Sequence, residues 1–139
     1  MTYRVECDQG LDDLATGLLR VFAQFVYCLK VTGYCVAGGG DAANPDWMRF
    51  ARELPPLSAA ADPGVAAAIS YVLGNPPKKQ VYADNVLQWR VVAPQAENEN
   101  DLIFLHVRRV RNNLFHRGKF SGCFFDPERS RDIFGAFHR

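Results

Sequence analysis

The sequence has no large excess of charge of either sign. Its 16 Lys and Arg residues are balanced by 15 Asp and Glu residues, which leaves a formal net charge of +1. This balance excludes a highly basic coat protein and an acidic tail protein, since both depend on bulk charge. No uninterrupted apolar run approaches the roughly 18 residues that a membrane span needs, and the first residues lack an export signal. We therefore expect a cytoplasmic protein that does not contact a membrane.

Cysteine is also scarce. The four cysteines form no C-x-x-C pair and have no histidine at zinc-finger spacing: Cys7, Cys28, Cys35 and Cys123. Cys28 and Cys35 lie seven residues apart, and we expect both to be small buried side chains on one face of a helix. No carboxylate cluster suited to Mg²⁺ is apparent. The sequence therefore predicts neither a disulfide, nor a metal site, nor a cofactor.

What the sequence does contain is apolar material for one core. It has 139 residues, of which 48% are hydrophobic, and ten are Phe. That length fits one domain, residues 1–139. Helical spacing of apolar residues predicts helices over residues 11–34, 45–54, 63–73, 101–117 and 128–137. We expect an all-α bundle of four to five helices.

Capping residues and turn residues give the predicted boundaries. Asn44 is expected to cap the second helix and Gly118 to end the fourth, which Asn98 or Asn100 would cap at its start. Residues 78–92 are rich in β-prone side chains, with Asp84-Asn85 as a possible turn. This segment fits a short β-hairpin or an irregular crossover.

The fourth helix carries the chemistry. Its expected core stripe is Ile103, Val107, Val110 and Leu114. Between Arg108 and Lys119 there are five basic residues and no acid, which indicates a local anion-binding patch or a solvent-exposed face that arginines keep soluble. On a helical wheel Asn112 and His116 lie opposite the core stripe, and Arg111 lies about 140° from His116.

Part of this helix resembles a known family. Arg111-Asn-Asn-Leu-Phe-His116 matches the R-x4-H motif of HEPN (higher eukaryotes and prokaryotes nucleotide-binding) domains, and Val110–Lys119 is similar to the VRNNLFHGGK block of a bacterial HEPN-like group. Arg117 replaces a glycine of that block. Further similar pieces follow the same order along the chain: Leu29-Lys30, Gly33-Tyr34, Asp46-Trp47, Phe50-Ala51 and Pro76-Pro-Lys-Lys-Gln80. On its first helix the family often carries an acidic residue near the site, and the nearest candidates here are Gln24 and Arg20, neither of which is acidic.

The resemblance implies a metal-independent endoribonuclease that cuts RNA by attack of the neighbouring 2′-hydroxyl. His116 would act as general acid or base, Arg111 would clamp the phosphate, and Asn112 would orient the histidine or donate to the phosphate. The neighbouring cations would bind the RNA backbone: Arg108, Arg109, Arg117 and Lys119. The reaction needs both an acid and a base, so we expect a homodimer with a composite site.

The family also suggests a role as a toxin or in antiphage defence, with an antitoxin or a larger defence system as partner. The alternative is a non-catalytic HEPN-like module that binds a nucleotide, RNA or protein and promotes dimerisation. Four aromatic residues near the motif would line the dimer interface, stack on bases or pack the end of the bundle: Phe115, Phe120, Phe124 and Phe125.

Other candidate residues have simpler interpretations. His106 fits a partly exposed helix histidine, and Tyr82 and Trp89 fit packing residues better than base platforms. Lys78 and Lys79 follow a Pro-Pro turn and fit a solvated loop, with RNA-backbone contact as the alternative. The run Gly38–Gly40 has no following Lys-Ser/Thr, so we expect a flexible loop.

Overall fold

The computed structural model describes residues 9–59 and 62–121, with side chains at residues 10, 12–59 and 62–114. Four helices occupy most of this part of the chain: α1 Gln9–Val31, α2 Trp47–Glu53, α3 Pro63–Gly74 and α4 Glu99–Ser121. Four strands lie between them: β1 Cys35–Ala37, β2 Ala43–Pro45, β3 Lys79–Ala83 and β4 Val86–Arg90. The predicted helix at 128–137 lies outside the described residues, as do Cys7, Cys123, Phe124 and Phe125.

The prediction of an all-α fold is wrong, because two antiparallel two-stranded sheets accompany the helices. One of them is the hairpin β3–β4, which is one of the two structures that the sequence predicts for 78–92. Its turn residues Asp84 and Asn85 have φ of 52° and 58°. Both values lie in the left-handed region that two-residue hairpin turns require, and Asp and Asn tolerate that region better than most residues do.

The other sheet, β1–β2, is unexpected. Its register pairs Cys35 with Pro45. The run Gly38–Gly40, for which the sequence predicts a flexible loop, connects the two paired strands. Strands of three residues are too short to show an alternating pattern, so periodicity cannot reveal them. Asn44 and Pro45 therefore belong to β2, and the predicted cap at Asn44 is wrong. Asp46 caps α2 instead, and its carboxylate accepts a hydrogen bond from the Arg49 backbone N–H at 3.2 Å.

The core lies where α1 meets α4. Ala15 and Leu18 of α1 pack with Val110 and Leu114 of α4, and Leu14 and Tyr71 pack partly against them. Ile103 is also buried, which confirms the predicted stripe of α4 at three of its four positions and leaves Val107 half-buried. An aromatic cluster joins α1 and α2 to the same helix, with ring centroids 5.5–6.3 Å apart: Phe22, Phe25, Trp47, Phe50 and Phe104. These contacts fix α4 against both neighbours.

Both asparagines at the start of α4 make structural hydrogen bonds, but only Asn98 caps the helix. Its Oδ1 accepts from the Asp101 N–H at 2.8 Å. Asn100 is buried, and its Nδ2 donates to the carbonyls of Ala51, Leu54 and Pro55 at 3.0–3.3 Å. Its Oδ1 accepts from the Leu57 N–H at 2.9 Å. Asn100 thus satisfies the polar backbone where α2 ends.

One further predicted boundary and one predicted burial differ from the structure. Gly118 does not end α4, which continues to Ser121, because glycine lowers helix stability without preventing helical geometry. Cys28 is exposed on α1, and Cys35 lies in β1, so the two do not share a buried helix face. By contrast, α3 begins at Pro63 as predicted, with Asp62 as its cap.

Helix α1 is long and apolar enough on average to cross a membrane, although its apolar residues form no single long run. The segment Asp12–Val31 has a mean hydropathy of 1.4, and 17% of it is buried. Only its length and composition support a membrane span, and the core helix of a folded protein meets the same criteria. Here Ala15, Leu18 and Leu29 of the segment are buried in the protein.

Candidate nucleic-acid interface

Three arginines in the middle of α4 are each held by a different partner. The Arg108 guanidinium lies 5.4 Å from the ring centre of Trp47. The Arg111 guanidinium lies 4.8 Å from the ring centre of Phe22. Arg109 Nη1 instead donates to the carbonyl of Val92 at 2.6 Å. Stacking on aromatic faces leaves the edges of a guanidinium free to donate hydrogen bonds to an anion.

Two of these arginines line a groove between α4 and the α1–α2 side of the molecule, which we call the aromatic groove. Its volume is about 540 Å³, and it is lined by Phe22, Ala23, Val26, Asn44, Pro45, Trp47, Arg108 and Arg111. No carboxylate is among these residues. The groove therefore combines apolar walls with two cations.

A second groove lies beside the first along α4, next to β3, and we call it the hairpin groove. Its volume is about 480 Å³, and it is lined by Lys79, Gln80, Leu105, Arg108, Arg109, Asn112 and Asn113. Arg108 lines both grooves. The hairpin groove also contains no carboxylate, and most of its side chains donate hydrogen bonds.

The paired cations of the aromatic groove are poorly compensated. Burial lowers the pKa of Arg108; Asp101 acts against this effect, and the nearby charge of Arg111 adds to it. In the described part of the chain, ion pairs join Arg49 to Asp46 and Arg52 to Glu97, and none involves Arg108 or Arg111. The buried Nε of Arg111 also has no hydrogen-bond partner there. An anion bound between the two guanidiniums would offset this lost solvation.

The proposed catalytic residues do not share one groove. Arg111 lines the aromatic groove, whereas Asn112 is exposed and lines the hairpin groove. The backbone of α4 is helical from Arg111 to His116, and this geometry sets Arg111 and His116 about 140° apart around the helix axis. The side chain of His116 lies outside the described residues, as do those of Arg117, Lys119, Phe115 and Phe120.

His106 differs from its prediction. Its side chain is only 3% exposed, and Nδ1 has no hydrogen-bond partner among the described residues. Burial lowers the pKa of His106, and the charge of Arg109 lowers it further. A histidine in this position is held in its neutral form and belongs to the interior of the domain.

The hairpin groove includes residues that sequence reasoning assigned elsewhere. Lys79 lies in β3 instead of a loop, and Gln80 follows it. Asn113 Nδ2 donates to the Lys78 carbonyl at 2.7 Å and so joins α4 to the start of β3. Sequence signals for this groove are Arg108, Arg109 and Asn112 on α4 and the Lys-Lys pair after Pro77, for which contact with RNA backbone is the alternative interpretation.

The two positions on α1 at which the resemblance leads us to expect an acidic residue hold Arg20 and Gln24 instead. Arg20 and Gln24, the nearest candidates for the missing acid, are both exposed. Among the described side chains, no group of three or more His, Cys, Asp or Glu residues is close enough to hold a metal. Comparisons with protein-family models, curated proteins and solved structures find no match for this chain.

Proposed function

We propose that the protein is a metal-independent endoribonuclease of HEPN type that binds the RNA backbone along α4. The observation that carries the proposal is the pair Arg108 and Arg111. Both guanidiniums lie over aromatic rings and line one groove, and neither forms an ion pair in the described part of the chain. A phosphodiester has the charge and the oxygen acceptors that such a pair needs.

In the proposed reaction, the 2′-hydroxyl attacks the adjacent phosphorus and the 5′-oxygen leaves. A base removes the proton of the 2′-hydroxyl, and an acid protonates the leaving oxygen. Arg111 stabilises the charge that builds on the phosphorus-bound oxygens. His116 is the proton-transfer group, because the reference pKa of histidine is near neutrality. Asn112 donates to a phosphate oxygen or orients a histidine.

The helix geometry supports a site built from two chains. Arg111 is turned towards α1, and position 116 lies about 140° around the helix from it. A two-fold dimer would place His116 of one chain near Arg111 of the other and would supply an acid and a base together. Sedimentation velocity should then give twice the chain mass of 15.6 kDa at the concentrations where cleavage is seen.

The same resemblance supports a biological setting as a toxin or in antiphage defence. In that setting the enzyme works in the cytoplasm, and an antitoxin or a larger defence system restrains it. Arg109, Arg117 and Lys119 would extend the RNA contact beyond the reacting phosphate.

The test is cleavage of a labelled structured RNA in EDTA, with analysis of the product ends. Wild type should produce 2′,3′-cyclic phosphate ends, and Arg111→Ala and His116→Ala should lose at least about 100-fold in rate. Arg52→Ala is the matched control, since Arg52 is ion-paired to Glu97 and lines neither groove. Equal cleavage by all four proteins would show that the activity comes from a contaminant.

One observation favours a second function, a non-catalytic RNA-binding and dimerisation module. Arg111 and Asn112 line two different grooves along α4, so the groove geometry does not bring them to one phosphate within a single chain. A module of this kind binds RNA through Arg108 and Arg111 and cuts nothing. RNA binding that depends on Arg111, together with no cleavage at any protein concentration, would support it over the enzyme.

A further inference from the structure

The hairpin β3–β4 carries an unusual set of exposed side chains. Tyr82 is 72% exposed, and its cross-strand neighbour Leu87 is 60% exposed. The prediction that Tyr82 packs in the interior is therefore wrong. An aromatic ring held this far into solvent on a regular strand has a free face that a planar ligand group can cover.

This ring is on the same side of β3 as Gln80, one of the residues that line the hairpin groove. Side chains alternate along a strand, so Gln80 and Tyr82 lie on the same side of β3, about 7 Å apart along the chain. Gln80 lines the groove. A ligand that occupies the groove and extends along the strand towards the turn therefore reaches the ring of Tyr82.

The hairpin is held firmly enough to present that ring. Asn113 donates to the carbonyl of Lys78 at the start of β3, and Arg109 donates to the carbonyl of Val92 just beyond β4. Each strand is thus joined to α4 at its base. The ring and the cations of the groove keep a fixed relation to each other, as a binding surface requires.

The charges on the hairpin also indicate an anionic ligand. Lys79 and Arg90 are directly opposite each other in the ladder. Like charges in that arrangement destabilise a hairpin, and neither residue has a carboxylate partner in the described part of the chain. The Arg90 guanidinium is held by Gln88 Oε1 at 2.8–3.0 Å. The alternation of the strands sets these two cations on the other side of the hairpin from Tyr82, and a phosphate that reaches Lys79 from the groove would relieve their repulsion.

We propose that the hairpin groove and Tyr82 form a binding site for unpaired RNA, in which Lys79, Arg109 and their neighbours hold phosphates and Tyr82 stacks on a base. The site selects single strands, because a base stacked within a duplex cannot stack on a protein side chain. The proposal rests on the proposed function for the identity of the ligand as RNA. It adds a site in the groove next to that of Arg111, together with the structural class of the substrate.

The test measures binding apart from cleavage. A fluorescein-labelled 12-nucleotide RNA with 2′-O-methyl groups has no free 2′-hydroxyl and cannot be cut by the proposed route. Its affinity for the full chain is measured by anisotropy, as a single strand and as a duplex with its complement. Wild type should bind the single strand more tightly. Tyr82→Ala should weaken that binding by about 5- to 150-fold, the range of one base–aromatic stack.

Two variants separate stacking from other effects of the substitution. Tyr82→Phe keeps the ring and should bind within about twofold of wild type. Tyr27→Ala is the matched control, because Tyr27 lies on α1 and is 67% exposed. Thermal melting of every variant checks that the fold is kept. The stacking site is overturned if Tyr82→Ala binds the single strand like wild type. It is also overturned if wild type binds the duplex as tightly as the single strand.

The two proposals fail in different ways. Tyr82-dependent binding without any cleavage of unmodified RNA would reject the endoribonuclease and keep the single-strand site. Cleavage that depends on Arg111 and His116 but not on Tyr82, with unchanged binding, would do the reverse.

Discussion

The Arg111 guanidinium lies 4.8 Å from the ring centre of Phe22, so a residue of α1 positions the arginine of the R-x4-H motif on α4. The motif is a local sequence pattern, but the direction of its arginine depends on a residue 89 positions earlier in the chain. Phe22 also contacts Trp47, whose ring lies under Arg108. The two cations of the aromatic groove therefore rest on neighbouring rings.

Phe22→Leu should weaken RNA binding by about 2- to 5-fold, because a cation–π contact of this kind is worth roughly 0.5–1 kcal/mol. The measurement is anisotropy with the uncleavable RNA at fixed ionic strength. Phe50→Leu is the control, since Phe50 belongs to the same aromatic cluster and does not lie under Arg108 or Arg111. If both variants lose affinity equally, the loss reflects general loosening of the cluster and not the position of Arg111.

Arg108→Gln should reduce the salt dependence of RNA binding. A cation that neutralises one phosphate of a single strand contributes about 0.7 to the slope of log K against log salt. Arg108 lines both grooves, so we expect the slope to fall by about that amount. Arg52→Gln removes an arginine that is paired with Glu97 at 3.4 Å and should leave the slope unchanged. Equal slopes for wild type and Arg108→Gln would place Arg108 outside the phosphate contacts.

His106 should make the domain less stable in mild acid. Burial lowers the pKa of His106 in the folded protein, whereas the unfolded chain keeps the ordinary value of 6.5. Below pH 6.5 the unfolded state therefore binds more protons than the folded state, and the free energy of unfolding falls as the pH falls towards the folded-state pKa. Urea midpoints between pH 7.5 and 5.0 measure this. His106→Gln should flatten the profile, and an unchanged profile in that variant would assign the effect to other groups.

Asn100→Ala should destabilise the protein by about 2–4 kcal/mol, because it leaves the Leu57 N–H and three carbonyls near the end of α2 without their partner. Urea unfolding gives the value. Asn75→Ala is the matched control, since Asn75 is exposed and makes one side-chain bond, to the Tyr71 carbonyl at 3.1 Å. A loss for Asn100→Ala as small as that for Asn75→Ala would show that water replaces the lost bonds.

Local signals in the sequence predict part of this fold well. Pro63 marks the start of α3, Asp84-Asn85 supports a turn, and the spacing of Val110 and Leu114 identifies the buried side of α4. Each of these signals acts within a few residues. Strands β1 and β2 cannot be predicted from such local signals, because three residues on either side of a glycine loop are too few to show a periodicity.

The burial of two polar residues on α4 cannot be predicted from the sequence either. Asn100 and His106 look like surface residues in a sequence, and only tertiary packing shows that both are buried. The candidate site divides in the same way. Sequence alone finds the arginines of α4, but the rings beneath Arg108 and Arg111 and the hairpin beside Arg109 come from distant segments. Those segments decide which groove each cation enters.

The two hydrogen bonds that attach the hairpin to α4 have a consequence for how the sequence of the protein can evolve. Asn113 donates to the backbone carbonyl of Lys78, and Arg109 donates to that of Val92. Every residue has such a carbonyl, so these hydrogen bonds do not depend on the side chains at those positions. Substitutions in β3 and β4 therefore leave both attachments intact. The hairpin can exchange its exposed side chains while its orientation stays the same, much as antibody loops vary on a constant framework. Related proteins that share α4 can thus differ in the side chains of the hairpin and keep its orientation.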